Sequence, residues 1–314
     1  MSCDVSILVV SYNTKEETLA CIESVYDQTK EVSFELIVLD NDSKDGSAEA
    51  IEKKFPRLTL VKSKKNLGFA GANNVAAEQA TGEYVLLLNP DTVILDQAID
   101  RIVKFARSNS EPGVYGGRTL FEDMSLNKDS CHGAPTPWSL LSMGIGFSSM
   151  FSKSALFNPE GLGAWQRDSF REVDCITGCF LLLERSLWKE LGGFDLDYFM
   201  YGEDTDLCLR ARKHGVKCFV YPDAQLIHHG GRSEKVRADK MIRLFRAKHQ
   251  LFQKHWKPHS VKFGANMLVC WAFTRYLALR TLGVANASYR QRASEWYSVF
   301  SRRSEYCDIP KRMA

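Results

Sequence analysis

The chain has 314 residues, 45% hydrophobic and 25% charged, a make-up that excludes a disordered, collagen-like or disulfide-stapled protein. Its net charge of +3 hides a split: residues 1–231 carry 23 Lys+Arg against 33 Asp+Glu, whereas residues 232–314 carry 18 against 5. Nine cysteines, an odd count without regular spacing, and the lack of an apolar leader pattern predict a reducing, cytoplasmic setting.

The first 110 residues alternate strand-like and helix-like patterns. Val5 to Asn13 is a continuous β-branched run of the kind a buried parallel strand needs, and Leu19, Ile22, Val25 and Tyr26 then recur at helical spacing. Further strands are predicted over Phe34–Ser43, Leu58–Ser63 and Tyr84–Thr92, with helices near 45–55 and 72–80. This alternation predicts an α/β fold with a mostly parallel, Rossmann-like central sheet flanked by helices. Ligands of such sheets bind beyond the carboxyl ends of the strands, where Tyr12, Asn13, Asp40, Asn41, Asn66, Asn89 and Asp91 gather.

Residues 110–172, rich in Gly, Ser and Pro, read as an irregular region that includes a candidate flap around Gly144, Gly146, Ser148 and Ser149. Cys175–Asp195 predicts a strand and a helix ended by Gly192 and Gly193; a short helix over Glu203–His214, a strand over Lys217–Pro222 and the segment HHGGRS (His228–Ser233) follow. Cys175 and Cys179, placed on one predicted strand, lack a second pair and read as buried small hydrophobes, not a zinc site. Beyond Ser233 the chain becomes a basic helix to about Trp256, then an apolar stretch from Phe263 to Phe273 that is too short to span a bilayer. Flanked by Lys262 and Arg275, that stretch suits the headgroup plane, with a helical subdomain packed on the body as the competing reading.

Three segments carry chemistry. In LLLNPDT a buried strand ends in Asn89, Pro90 and Asp91; a carboxylate beside an amide there suits Mg2+ or Mn2+ bridging a diphosphate, although Asn-Pro-Asp is also an ordinary turn. In YGEDTDLCLRA the acids Glu203, Asp204 and Asp206 crowd a helix start behind Tyr198, Phe199 and Tyr201. One or two acids complement the helix dipole, but three beside an aromatic wall suit a carboxylate working as a base. His228 and His229 stand after a strand, where a neutral imidazole can ligate a metal.

Taken in order, VSYN, VLDNDS, KNLGFAGANN, LLLNPDT, CITGCFLLLERSLWKELGGFD, YGEDTDLCLR and HHGGRS closely resemble the GT-A glycosyltransferases of family 2. The likeness is greatest to the rhamnosyltransferase-like branch that builds bacterial surface polysaccharides, and it covers about residues 5–235. The family's usual Asp-X-Asp is replaced by Asn89-Pro90-Asp91, leaving Asp91 as the main metal-binding carboxylate. The resemblance implies that Tyr12 stacks on the nucleotide base, that Asp40 and Asn41 contact base or ribose, and that Asn66 lines the sugar-nucleotide pocket with the turn around Gly68 and Gly71. Asn13 and Asn89 join this donor set. Asp91 and His228 would hold the metal on the diphosphate, with His229 an adjacent alternative; Thr177, Gly178 and Glu203 would face the acceptor, and Asp204 would be the base. One base and one metal without a separate nucleophile imply a single displacement with inversion.

The reading therefore expects an enzyme that takes a nucleotide diphosphate sugar, dTDP-rhamnose or a UDP-sugar, to a saccharide or polyprenyl-linked acceptor at the inner face of the cell membrane. It divides the chain into a catalytic domain over 1–233 (donor half 1–110, acceptor and base half 111–233) and a basic helical region over 234–314, a candidate membrane-interface element. An anionic membrane surface is the expected partner of that region, nucleic acid is not, and self-association through the helices stays open. A nucleotide-binding oxidoreductase is disfavoured because SYNTKEE follows the first strand where G-x-G-x-x-G would be needed, and no P-loop occurs. A non-enzymatic nucleic-acid or membrane-binding scaffold using the basic region is the remaining alternative.

Overall fold

A computed structural model describes residues 3–109, 111–230, 237–284 and 286–309. In chain order the strands are β1 (Val5–Ser11), β2 (Phe34–Asp40), β3 (Thr59–Lys62), β4 (Tyr84–Leu88), β5 (Thr92–Ile94), β6 (Gly113–Leu120), β7 (Cys131–His132), β8 (Arg171–Val173), β9 (Cys175–Ile176), β10 (Phe180–Glu184) and β11 (Lys217–His228). The helices are α1 (Lys15–Gln28), α2 (Ser47–Lys54), α3 (Gly68–Glu78), α4 (Ala98–Ser108), α5 (Pro137–Gly144), α6 (Phe147–Met150), α7 (Arg185–Glu190), α8 (Glu203–Lys213), α9 (Arg237–His255), α10 (Pro258–Leu282), α11 (Ala287–Ser301) and α12 (Ser304–Cys307).

The chain divides into two compact units, one of residues 1–132 and 166–233, the other of residues 133–165 and 234–314. In the first, a nine-stranded sheet runs β3-β2-β1-β4-β10-β6-β11-β5 with β8 on β11. Every residue of β1 and β4 is buried, which their unbroken apolar runs require once helices cover both faces. The run β3-β2-β1-β4 is parallel, and β10 then enters antiparallel to both β4 and β6. In α4, Ile99, Ile102, Val103 and Ala106 recur at helical spacing and pack into the core with Ile22 and Val25 of α1.

The sequence reading differs from this architecture at several points. The run Tyr84–Thr92 is two strands, because Asn89-Pro90-Asp91 turns the chain and sends Thr92 to pair with β11 instead of the neighbours of β4. The predicted strand Lys217–Pro222 continues to His228 through an irregularity between Val220 and Gln225. Cys175 and Cys179 lie on β9 and just before β10, separated by a turn, both buried and free. The Gly- and Ser-rich region holds α5 and α6: Pro137 occupies the first turn, and Thr136 and Ser139 form a reciprocal capping box at 3.1 and 2.9 Å.

The second unit gathers α5 and α6 with α9–α12, so residues 133–165 group with the C-terminal helices. Its core stacks Phe245 on Trp271 at 5.0 Å and Phe252 on Trp256 at 4.1 Å, around the buried Leu268, Trp296 and Tyr306. Buried His249 reaches the Tyr306 carbonyl at 2.8 Å, and Trp256 Nε1 donates to the Pro135 carbonyl at 3.1 Å. No helix among the described residues is long and apolar enough to cross a membrane. The end of HHGGRS from Gly231 to Ser233, and the predicted helix start near Lys235, lie outside the described residues.

One carboxylate organises the joint between α1, β2 and α4. Asp100, almost wholly buried on α4, accepts the backbone N–H groups of Lys30, Glu31 and Val32 at 2.8, 2.9 and 2.8 Å. Asp100→Ala leaves three amides without their acceptor, that of Val32 buried, and is expected to cost about 2 kcal/mol in urea unfolding, with Asp100→Asn recovering part of the loss. A loss near zero would show that water replaces the carboxylate.

Candidate active site

Two strand pairings assemble the site. In the antiparallel register of β10 on β4, Phe180 lies opposite Leu88, so the segment entering β10 meets the segment leaving β4. The Asn89 N–H donates to the Cys179 carbonyl at 3.0 Å, which sets Thr177 and Gly178 beside Asn89. In the pairing of β5 with β11, Thr92 lies opposite His228, and the His229 N–H donates to the Asp91 carbonyl at 3.1 Å. Asp91 and His228, far apart in sequence, thereby meet.

His228 Nε2 stands 3.4 Å from Asp91 Oδ1 and 3.3 Å from Asn89 Nδ2, with the His228 and Asp91 side chains 9% and 13% exposed. Burial pushes the Asp91 carboxyl up, but the imidazole beside it outweighs burial and holds it below the usual carboxylate range. The imidazole is frustrated. Nε2 can accept from Asn89 as a lone pair or donate to Asp91 as an N–H, and in either tautomer Nδ1 is buried without a partner. The Asn127 amide holds the His228 carbonyl at 2.9 Å. His229 points elsewhere: its Nδ1 pairs with Glu122 at 2.9 Å.

Among the described residues no group of three or more His, Cys, Asp and Glu side chains forms a ready metal cage. The donor set nevertheless fits a divalent cation that shares its shell with a ligand. Asp91 supplies a hard oxygen and His228 a lone pair, and an ion there would relieve the competition at Nε2. The mixed oxygen and nitrogen pair suits Mn2+ better than Mg2+.

Asp204, at the first turn of α8, is pinned by two amides: Gly178 N–H donates to Oδ2 at 3.0 Å and Thr205 N–H to Oδ1 at 2.6 Å. Oδ1 also accepts from the Thr205 hydroxyl at 3.3 Å, whereas Oδ2 accepts only the Gly178 N–H, so the carboxylate is oriented and Oδ2 is the oxygen able to take a proton. Its neighbours have other fates. Asp206 is spent on Arg210 at 2.7 Å, and that arginine also donates to the Leu191 and Gly193 carbonyls. Glu203 is 4% exposed, Oε2 has no partner, and burial, followed by the charge of Asp204, drives its carboxyl well above the usual range. Glu203 is therefore held as a neutral acid beside Asp204.

The other predicted residues form a third cluster where β1 and β2 end. Asn41, buried, donates to Asn66 Oδ1 at 3.1 Å and accepts the Leu67 N–H at 2.8 Å, while Asn66 Oδ1 accepts the Gly68 N–H at 2.8 Å. Asp40 Oδ2 accepts the Ser43 N–H at 3.1 Å, whereas its buried Oδ1 has no partner. Tyr12 is half exposed beside it. Asn13, with a φ of 53°, spends its amide oxygen on the Lys44 N–H at 2.7 Å and ties the two strand ends together. Gly68 is required as glycine: its φ is +73° and a Cβ would lie 2.3 Å from the Phe199 carbonyl. Gly71 sits apart from the others, against Leu67 and Leu196.

The clusters meet at Gly178, whose Cα faces the Phe69 ring and the Asp204 side chain. Thr177 turns away, its hydroxyl donating to the Asp129 carbonyl. Residues that sequence reasoning passed over include Asn127, which fixes His228, and His132, whose Nε2 lies 3.2 Å from Thr205 Oγ1. Neither carries a local signal, since a lone Asn or His in an irregular stretch is uninformative. Phe199 was singled out only as an aromatic wall; its carbonyl accepts the Phe69 N–H at 2.8 Å and braces the Gly68 turn.

Residues 6–191 match Glycosyl transferase family 2, and residues 168–235 match the N-terminal domain of galactosyltransferase. The O-antigen biosynthesis protein RfbC of Myxococcus xanthus is 27% identical over 237 residues, 74% of this chain; the match spans only 18% of RfbC. The N-acetylglucosaminyl-diphospho-decaprenol L-rhamnosyltransferase of Mycobacterium tuberculosis is 29% identical over 215 residues, 63% of this chain and 67% of that protein. Among solved structures, the mannosyltransferase PcManGT from Pyrobaculum calidifontis in complex with GDP-Man and Mn2+ superposes with a TM-score of 0.59 at 20% identity, covering 99% of this chain and 89% of that one. That likeness is one of fold, the GT-A arrangement of a sheet between helices. With the family matched across more than half its length, the chain belongs to glycosyl transferase family 2.

Proposed function

We propose that the chain transfers a sugar from a nucleoside diphosphate to a hydroxyl of a saccharide or polyprenyl-linked acceptor, by a single displacement that inverts the anomeric carbon. The observation that carries this reading is the pair Asp91 and His228 past the end of β4, suited to a diphosphate-bound cation, with Asp204 held by Gly178, a residue that the Asn89 N–H bond to the Cys179 carbonyl brings beside the same strand end. Relatives support the chemistry: one is named for rhamnosyl transfer to a diphospho-decaprenol acceptor, and a structural neighbour holds GDP-Man and Mn2+. Rhamnose is the donor sugar favoured, carried by dTDP, in surface polysaccharide assembly.

Each residue then has a task. Tyr12, Asp40 and Asn41 hold the nucleoside, with the unpartnered Asp40 Oδ1 as the free acceptor. Asn66 and the Gly68 turn bound the sugar and diphosphate, with Gly71 supporting that turn and Asn13 fixing the strand ends around it. Asp91, Asn89 and His228 hold the diphosphate end. A divalent cation bound there, Mn2+ or Mg2+, supplies Lewis-acid neutralisation of the leaving diphosphate. Gly178, with Thr177, keeps Asp204 aimed at the acceptor hydroxyl, from which it takes the proton. Glu203, held neutral by burial, and Asp206, paired with Arg210, leave Asp204 as the acid placed to take the proton.

Three measurements test these roles. Asp204→Asn is expected to lower turnover by about 10³-fold, in the range of general-base catalysis, while leaving donor affinity within about twofold in calorimetry. An active Asp204→Asn enzyme removes the residue from the mechanism. Asp91→Ala is expected to weaken donor binding at least about tenfold in Mn2+ and to make no difference under chelator, since the lost contact is the cation's; equal losses in both media contradict a metal role. For Glu203, the ordinary value is 4.5 and the folded value lies well above it, so the folded state holds a proton that the unfolded chain releases as pH rises past 4.5. Stability is thereby lost toward neutral pH. Glu203→Gln should melt higher than the parent by a margin that widens from below pH 4.5 to neutrality, and a margin independent of pH would show that Glu203 is ionised in the fold.

A further inference from the structure

The second unit carries 18 Lys+Arg against 6 Asp+Glu, and α10 carries no acid at all. Along its seam with α11 lies a ring cluster: Phe273 packs on Phe300 at 5.1 Å and on Tyr276 at 6.4 Å, and Tyr276 packs on Tyr297 at 5.2 Å. These rings are not closed into a core. Phe273 is 39%, Leu277 41% and Tyr297 52% exposed, and at the helix end Leu282 and Val284 are 56% and 86% exposed. Residues 273, 277 and 280 recur on α10 at a helical spacing that keeps one face.

Arginines frame the same face. Arg280 lies over the Tyr276 ring at 5.8 Å and donates to its hydroxyl at 2.8 Å, and Arg303 lies over Phe300 at 5.4 Å. Arg290 and Arg292 follow, exposed, on α11. Water alone gives no reason for apolar rings to stand half out of the protein with guanidinium groups at their edges. An interface does, because rings sit at headgroup depth while long basic side chains reach the phosphates.

We propose that the α10–α11 seam is a docking surface for an anionic lipid bilayer, with Phe273, Leu277 and Tyr297 entering the headgroup boundary and Arg280 and Arg303 pairing with lipid phosphates. Charge chooses this occupant: a second copy would bring the same arginines against these ones, whereas anionic lipid neutralises them. The inference does not rest on the catalytic reading, since lipid binding needs neither donor nor turnover.

Co-sedimentation of the full chain with sucrose-loaded vesicles tests it. Binding is expected to vesicles containing phosphatidylglycerol, not to phosphatidylcholine alone, and to weaken as salt rises. The double variant Leu277→Glu with Tyr297→Glu should bind at least tenfold more weakly with an unchanged unfolding midpoint. Arg290→Glu with Arg292→Glu, which alters charge without touching the seam rings, should weaken binding severalfold. Equal binding by parent and both variants, or equal binding to neutral vesicles, overturns the proposal. So does a dimer in light scattering that Leu277→Glu dissociates, or salt-sensitive binding to duplex nucleic acid without binding to vesicles.

Discussion

The cation-binding half of the candidate site depends on one pairing, Thr92 opposite His228 across β5 and β11, which sets a carboxylate and an imidazole 3.4 Å apart in a nearly dry place. A buried carboxylate without a partner would take a proton and lose its use as a ligand. Burial pushes the Asp91 carboxyl up, but the hydrogen bond and charge of His228 beside it leave it below the usual carboxylate range. The price of the arrangement is an imidazole with two claims on Nε2 and an orphaned Nδ1. Such incomplete satisfaction is uncommon in a folded interior.

The acids at the start of α8 illustrate how one short segment yields three chemistries. Asp206 is consumed by Arg210, which clamps α8 to the Leu191 and Gly193 carbonyls; burial drives the Glu203 carboxyl well above the usual range; Asp204 is oriented by backbone amides and is not committed to a cation. Their environments, not their identities, separate them. Gly178 links this helix to the sheet, and the antiparallel entry of β10 is what brings Gly178 there.

Much of this was legible in the chain and some was not. Unbroken apolar runs announced β1 and β4, and the Gly192-Gly193 stop fell where the chain turns, both residues having positive φ. Periodicity is blind to pairing direction, so FLLLE read as a strand without revealing that it inserts antiparallel between β4 and β6. The choice between His228 and His229 also needed the sheet: adjacent residues at a strand end face opposite ways, and only the register with Thr92 decides which meets Asp91. The helix α5 was hidden by Gly and Ser content although Thr136-Pro137 with Ser139 spells a helix start. That residues 133–165 group with α9–α12 follows from packing alone, as with Trp256 on the Pro135 carbonyl.

The central claim is that Asp91 and His228 hold a cation against a diphosphate while Asp204 is kept for the proton. Anomalous diffraction at the manganese edge, from crystals grown with Mn2+ and a nucleoside diphosphate, tests it most directly. The account predicts one strong peak within coordination distance of Asp91 and of His228 Nε2, bridged to the diphosphate. A peak on Glu203 and Asp204 instead, with Asp91 bare, would contradict it.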